Sequence, residues 1–369
     1  MKFLLAPDKF KGSIDSISLC DIMRKEILAI HSDAEVMSFP LSDGGDGFEK
    51  LIQHYFNTES VVAPTVDPLG RPIMAQYQYA AASGTAFIEM AAASGMALLK
   101  KSELNPMRTS TYGTGLLIRD AMNRGAQHIL LGIGGSATND GGLGMADALG
   151  YMFLDKNGDP LDPCGESMLL VHEIVMPETD VLEDVQFTVA CDVKNPFCGP
   201  EGAAHIYAAQ KGASKEQINE LDEGLKHLDA MFMQYFDRSV IDLPGAGAAG
   251  GLGGGCDVFL GARLVPGVDY LAESIELEKH IKEADVIITG EGTFDIQSIQ
   301  GKVVGYVSGL AGRSGKRIRI ICGASNVDRR DQAAMGIEQL VTLVDLAPSK
   351  EAAIDKPDQF IPEAVRSLV

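Results

Sequence analysis

A short apolar run, Ile129 to Ile133, breaks at Gly134-Gly135 into the polar loop Ser136 to Gly142, and small apolar residues resume at helical spacing from Leu143 to Leu149. A buried strand, a glycine turn and a helix start account for that order and commit this part of the chain to an α/β layer. Glycines free the backbone to take positive φ, and the amides of such a turn can converge on an anion held before the next helix. Tight strand–helix packing is the plainer explanation of the glycines alone. The hydroxyl, amide and carboxylate groups of Ser136, Thr138, Asn139 and Asp140 point beyond packing.

The same grammar recurs at both ends of the chain. Phe3 to Ala6 reads as a strand stopped by Pro7, with Asp8 to Ser13 as its loop; Ile17, Cys20, Met23, Ile27 and Ile30 then recur at helical spacing behind a cap at Ser13 or Ser16. Val36 to Leu41 is a second strand, which runs into Ser42 to Gly47 and a helix through Leu51 and Tyr55. Two such units predict right-handed crossovers and a parallel sheet whose ligand crevice lies at the carboxyl ends of the strands. Further strands are expected at residues 285–289, ending in a polar loop from Gly290 to Asp295, and at 318–322 and 340–344.

Between these ends the pattern changes. Residues 73–80 and 85–90 read as a hairpin turning at Ala82-Ser83-Gly84, Asn105 to Gly115 is a hydroxyl-rich loop, and Tyr151 to Leu154, turning at Asn157-Gly158, starts an antiparallel excursion. Gln186 to Cys191 is an apolar strand ending in Asp192, and Ser214 to Phe236 is an amphipathic helix. Pro244 to Gly255 mixes glycine with alanine and leucine rather than with serine and charge, which predicts a packed or ligand-approaching segment and not a flexible linker. At 369 residues the chain exceeds the usual size of one core. The expected fold is therefore α/β with two domains, one built from residues 1–65 and 285–369 and an inserted one, residues 66–284, carrying the glycine-rich loops.

Charge narrows the partners. With 31 basic and 51 acidic residues the net charge is −20, which repels nucleic acid and anionic membrane alike. An anionic ligand would need local attraction from a few lysines, backbone amides and a divalent cation. The 6 cysteines form no CxxC pair and the 7 histidines no HxxxH pair, so buried, reduced thiols are expected and neither a zinc site nor a disulfide framework. The apolar run before Asp8 is too short for a signal peptide and no run is long enough to span a membrane, which predicts a soluble, cytoplasmic protein. Self-association stays open.

The polar loops contain none of the histidines, and no GxSxG elbow occurs, so a serine–histidine triad is disfavoured. Phosphoryl transfer needs donors around phosphate, a metal held by carboxylate and a carboxylate base for the acceptor hydroxyl, and no histidine. That matches the inventory. Gly301-Lys302 is followed by Val303 and lacks the earlier glycine of a Walker A loop. Gly245, Gly247 and Gly250 fit the dinucleotide fingerprint, which makes a nicotinamide-dependent dehydrogenase of a small hydroxy acid the competing interpretation. Asp192, at the end of its strand, is the candidate base. Asp295, with Glu291 or Asp43, is the candidate magnesium site. Lys11 and Lys302 are candidate partners for phosphate or carboxylate, and Arg71 or Arg108 could clamp a carboxylate in two-pronged fashion.

Taken together, Ala6 to Ser13, Asp43 to Gly47, Phe87 to Gly95, Gly132 to Gly142, Ala190 to Pro196, Gln210 to Ala213, Pro244 to Gly253 and Ile288 to Lys302 resemble the motifs of the type I glycerate kinases, in family order. The resemblance implies Mg-ATP dependent phosphorylation of D-glycerate, most often at the 2-hydroxyl, with 3-phosphoglycerate as the alternative product. It also implies a flavodoxin-like domain from both termini that receives a second α/β domain. By the same motifs, substrate or phosphate would be bound by Asp8, Ser13, Lys211, Gly247 and Gly250, together with the amides and side chains of Gly134, Gly135, Ser136, Ala137, Thr138, Asn139 and Asp140. Two positions depart from the family pattern: Asp46-Gly47-Phe48 where Glu-Gly-Thr is common, and Thr293 where a basic residue or serine is common.

Overall fold

The computed structural model describes residues 1–42, 48–178, 182–295, 298 and 302–369. The chain opens with β1 (Lys2–Leu5) and β2 (Glu35–Ser38). It continues through β3 (Glu59–Val66), β4 (Pro72–Ala80), β5 (Thr85–Glu89), β6 (His128–Gly132), the antiparallel pair β7 (Met152–Leu154) and β8 (Glu173–Val175), β9 (Gln186–Ala190) and β10 (Arg263–Val265). It closes with β11 (Val286–Phe294), β12 (Ile318–Ser325) and β13 (Ile337–Thr342). Two compact units result, Met1–Leu51 with Gly267–Val369, and Ile52–Pro266. The boundaries differ from the expected 65/66 and 284/285. Residues 59–66 pair with β4 along their whole length and so join the second unit, while Gly267–Ser274 and Leu277–Glu283 are helices that pack in the first.

The first unit is a five-stranded parallel sheet in the order β13-β12-β11-β1-β2. Phe3 and Leu5 point to one face, Leu4 to the other, and all three are fully buried, so helices cover both faces. On the first face Phe3 and Leu5 meet Leu19, Met23 and Ile27 of the helix Ser16–Ile30 and Ile361 and Val365 of the helix Pro357–Leu368. The cap of Ser16–Ile30 is Asp15, whose carboxylate accepts from Ser18 N at 2.8 Å. Neither expected serine serves: Ser16 is already helical, and Ser13 Oγ donates to Ile354 O at 2.5 Å.

The second unit is a six-stranded sheet in the order β10-β9-β6-β5-β4-β3, parallel from β10 to β5 and antiparallel beyond. Its parallel strands β5, β6 and β9 deliver three segments to one edge: the short helical turn Met90–Gly95 and the loops Ile133–Gly142 and Cys191–Asn195. The helix Lys215–Phe236 begins in a capping box between Ser214 and Gln217. The glycine-rich segment becomes part of the helix Ala248–Leu260, interrupted where Ala249, Gly250 and Gly251 take positive φ.

Candidate active site

In the first unit a cavity of about 570 Å³ opens at the carboxyl ends of β1, β11 and β12. It lies where the strand order turns back, between β1 and β11, the usual crevice of an open α/β sheet. Asp8, Lys9, Lys11 and Ser13 reach it from the loop after β1, and Glu291, Asp295 and Lys302 from β11 and the segment beyond. The expected loop at Gly290 to Phe294 is strand instead. Gly290 allows it, because a Cβ there would stand 2.1 Å from Ile321 O of the neighbouring β12. Glu291 is consequently held in the sheet, 5% exposed. Burial pushes its carboxyl up to about 7, helped by Asp8 and Asp295 and opposed by Ser298 and Lys302. Its Oε1 has no hydrogen-bond partner among the described residues. Ser298 N donates to Asp295 Oδ1 at 3.1 Å, and Asp8 N donates to Gly290 O at 2.8 Å, so Asp295 is held by its carboxylate and Asp8 by its backbone.

Among the described residues no three His, Cys, Asp or Glu side chains come together as a metal cage. Magnesium does not need one, since it takes one or two carboxylates and keeps much of its water. An unpartnered, buried carboxylate oxygen on Glu291 beside Asp295 is a donor set that suits such an ion. Asp43 lies outside the described residues.

In the second unit the loop after β6 is fixed from several sides. Ala137 N donates to Ser94 O at 2.9 Å, Thr109 Oγ1 donates to Ala137 O at 2.8 Å, and Gly141 N donates to Gly250 O at 3.1 Å. The Asp140 carboxylate, with no exposure, accepts from Thr111 N and Thr111 Oγ1 at 2.7 Å, Gly142 N at 3.1 Å and Gly144 N at 3.3 Å. Burial still raises its pKa against those four bonds. Lys211, 2% exposed, donates to Ser136 Oγ and to Thr138 O, each at 2.7 Å. Desolvation lowers its ammonium to about 7, with Asp140 acting in the opposite sense.

Several expected ligand contacts are thus internal. The amide of Ala137 and the side chains of Ser136 and Asp140 are bonded within the protein, whereas Thr138 Oγ1 and both amide atoms of Asn139 are buried without a hydrogen-bond partner among the described residues; of the loop only Gly134 and Gly135 are exposed. Lys211 supports the loop from beneath. Arg71 is held by Asp67 at 2.5 Å and Glu103 at 2.7 Å, bracing the turn Asp67–Gly70, while Arg108 is exposed and 4.0 Å from Glu166. Asp192 is exposed just beyond β9. Gly247 and Gly250 admit neighbouring backbone: a Cβ would stand 2.1 Å from Pro196 O at the first and 2.1 Å from Thr138 O at the second. The dinucleotide fingerprint needs a strand before its first glycine, and residues 237–247 contain none. Sequence reasoning missed Lys9 and Lys350, which line the cavity, and Ser94, Thr109 and Thr111, which hold the loop. The hydroxyl-rich run Asn105 to Gly115 was the available signal for the threonines; nothing local marks Lys350.

A crevice of lysines and carboxylates with no histidine among the described residues that line it, and a braced glycine loop on the parallel part of a second, mixed sheet, define an α/β enzyme equipped for phosphoryl transfer. The sequence model of the glycerate kinase family matches residues 3–369. The glycerate kinase of Halalkalibacterium halodurans is 38% identical over 366 residues, 99% of this chain and 96% of that protein. The glycerate 2-kinase of Escherichia coli is 40% identical over 329 residues, 89% and 86% of the two chains. The crystal structure of a Salmonella typhimurium LT2 protein assigned as glycerate kinase 2 superposes with a TM-score of 0.86 at 34% identity, covering 100% of this chain and 98% of that one. The chain belongs to the glycerate kinase family, and it is a phosphotransferase.

Proposed function

We propose that this chain transfers the terminal phosphoryl group of ATP to the 2-hydroxyl of D-glycerate. The observation that carries the proposal is the family match from residue 3 to residue 369, which includes the loops of both units. The order of its five parallel strands supports a flavodoxin-like fold for the first unit. Transfer to the 2-hydroxyl draws on the Escherichia coli relative, which is named a glycerate 2-kinase.

In this proposal Asp192 accepts the proton of the attacking hydroxyl. Lys11 and Lys302 offset the charge of phosphate oxygens, and Glu291 and Asp295 are the residues that would hold magnesium. The metal, when bound, supplies charge neutralisation along the phosphate chain. The exposed Gly134-Gly135 tip gives backbone close approach to a small ligand, and the bonds beneath it to Ser94, Thr109 and Lys211 keep it from reorganising during transfer. A coupled assay with ATP, magnesium and D-glycerate tests the reaction: ADP forms only with all three present, and folded protein that forms none refutes it. Phosphorus NMR of the product separates the 2-phosphate from the 3-phosphate.

A further inference from the structure

We propose that the cavity of the first unit is the nucleotide seat, with the nucleobase against Val344, Ala353 and Ile354 and the phosphates among Lys9, Lys11, Lys302 and Lys350. The inference rests on the kinase function proposed above and assigns one of its two substrates to one place.

The cavity has two chemically different sides. Lys9, Lys11 and Lys302, with Asp8, Glu291 and Asp295, come from the ends of β1 and β11, while the region after β13 brings the apolar Val344, Ala353 and Ile354 and one cation, Lys350, at the start of its helix. D-glycerate is a three-carbon acid with oxygen on every carbon and has no apolar part to place on such a wall. A nucleotide has one polyanionic end and one flat, weakly polar end, and so matches both sides.

Size agrees. A cavity of about 570 Å³ falls within the roughly 300–1,000 Å³ of sites that enclose drug-sized ligands. A three-carbon acid would leave most of it to water, and the water would screen the lysines that are meant to act on it.

The apolar wall is also preformed. Ile354 is a large apolar side chain left 46% exposed, yet its backbone is tied down: Ser13 Oγ donates to Ile354 O at 2.5 Å. The helix Lys350–Asp355 that carries it is capped by Ser349, whose side chain accepts from Ala352 N at 3.2 Å. The cap also fixes the start of the helix, where Lys350 stands. Four lysines stand against three carboxylates, Asp8, Glu291 and Asp295, in the lining, so a chain of net charge −20 is locally near neutral here, with cations at hand for a polyphosphate and carboxylates for its magnesium.

Calorimetry of the full chain with MgADP, with magnesium tripolyphosphate and with D-glycerate tests the assignment. Ile354→Ser should weaken MgADP about tenfold through the lost apolar contact, and leave tripolyphosphate and D-glycerate within twofold. Lys350→Ala should weaken both MgADP and tripolyphosphate and leave D-glycerate unchanged. Thermal unfolding of each variant checks that the exposed substitutions leave the fold intact. The seat is overturned if wild type fails to bind MgADP, if Ile354→Ser leaves MgADP within twofold, or if it weakens D-glycerate instead. The two proposals fail differently: weakened MgADP binding without turnover of D-glycerate keeps the seat and removes the acceptor, whereas turnover with an altered KM for D-glycerate alone keeps the kinase and removes the seat.

Discussion

Replacing Lys211 by methionine removes the nitrogen that bonds Ser136 Oγ and Thr138 O and keeps an unbranched side chain of similar length. Two effects follow. The first is independent of pH: two acceptors buried under the loop lose their donor, at about 1–3 kcal/mol each, or roughly 2–6 kcal/mol together. The second depends on pH. Burial lowers Lys211 to about 7, so between that value and the ordinary lysine value the unfolded chain holds a proton that the native chain has released. Stability from this group is therefore complete above the unfolded value and is lost as pH falls through 7; within the window it rises by about 1.4 kcal/mol per pH unit. The neutral amine retains two N–H groups, enough for both acceptors. Between pH 7 and 8.5 the advantage of wild type over Lys211→Met should thus grow by about 2 kcal/mol. Urea unfolding of both proteins at pH 6.5, 7.5 and 8.5, following the transition of the second unit, measures the difference directly. A difference that stays constant across that range, or a variant more stable than wild type at every pH, would falsify the account of a buried, desolvated lysine bracing the loop.

Asp192→Asn should lower kcat by about 100-fold to 10,000-fold at unchanged thermal stability, because the substitution removes a base from an exposed position; turnover within threefold of wild type would remove Asp192 from the mechanism. Glu291→Gln should stabilise the ligand-free protein above pH 7 by up to about 3 kcal/mol. A carboxyl raised to about 7 contributes stability that is complete below its unfolded pKa and lost as pH rises through the folded one. The variant should also weaken magnesium-dependent turnover, so unfolding curves at pH 6 and pH 8 with activity across a magnesium titration test both parts. Gly250→Ala should cost several kcal/mol and most activity, since its Cβ would meet Thr138 O at 2.1 Å in a backbone with φ +72; a crystal structure showing an unshifted loop would contradict this.

Much of the architecture was legible locally. Alternation of apolar runs with glycine-bearing polar loops marked β1, β2, β6 and β9, and the hairpin of β4 and β5 was marked by its turn, because periodicity and turn chemistry act within a few residues. The loop Asp8 to Ser13 was legible as site material for the same reason: it follows a buried strand directly. Gly290 to Phe294 misled, because glycine signals a loop equally with a strand whose neighbour comes too close for a Cβ, and only Ile321 across the sheet decides between them.

Local sequence suffices for the α/β class, the return of the C-terminal part to the N-terminal strands, and the residue types from which phosphoryl-transfer chemistry can be assembled. The partner of each side chain is set only in the folded molecule. Arg71 has the chemistry of a carboxylate clamp, yet Glu103, 32 positions away, already engages it. Lys211 has the chemistry of a phosphate ligand, yet Ser136 and Thr138, 75 and 73 positions away, make it a buried brace. Lys350 has no local mark, yet it lines the same cavity as Asp8. Backbone conformation depends mainly on neighbouring residues, whereas burial and charge pairing depend on which distant segments the sheets and helices bring into contact.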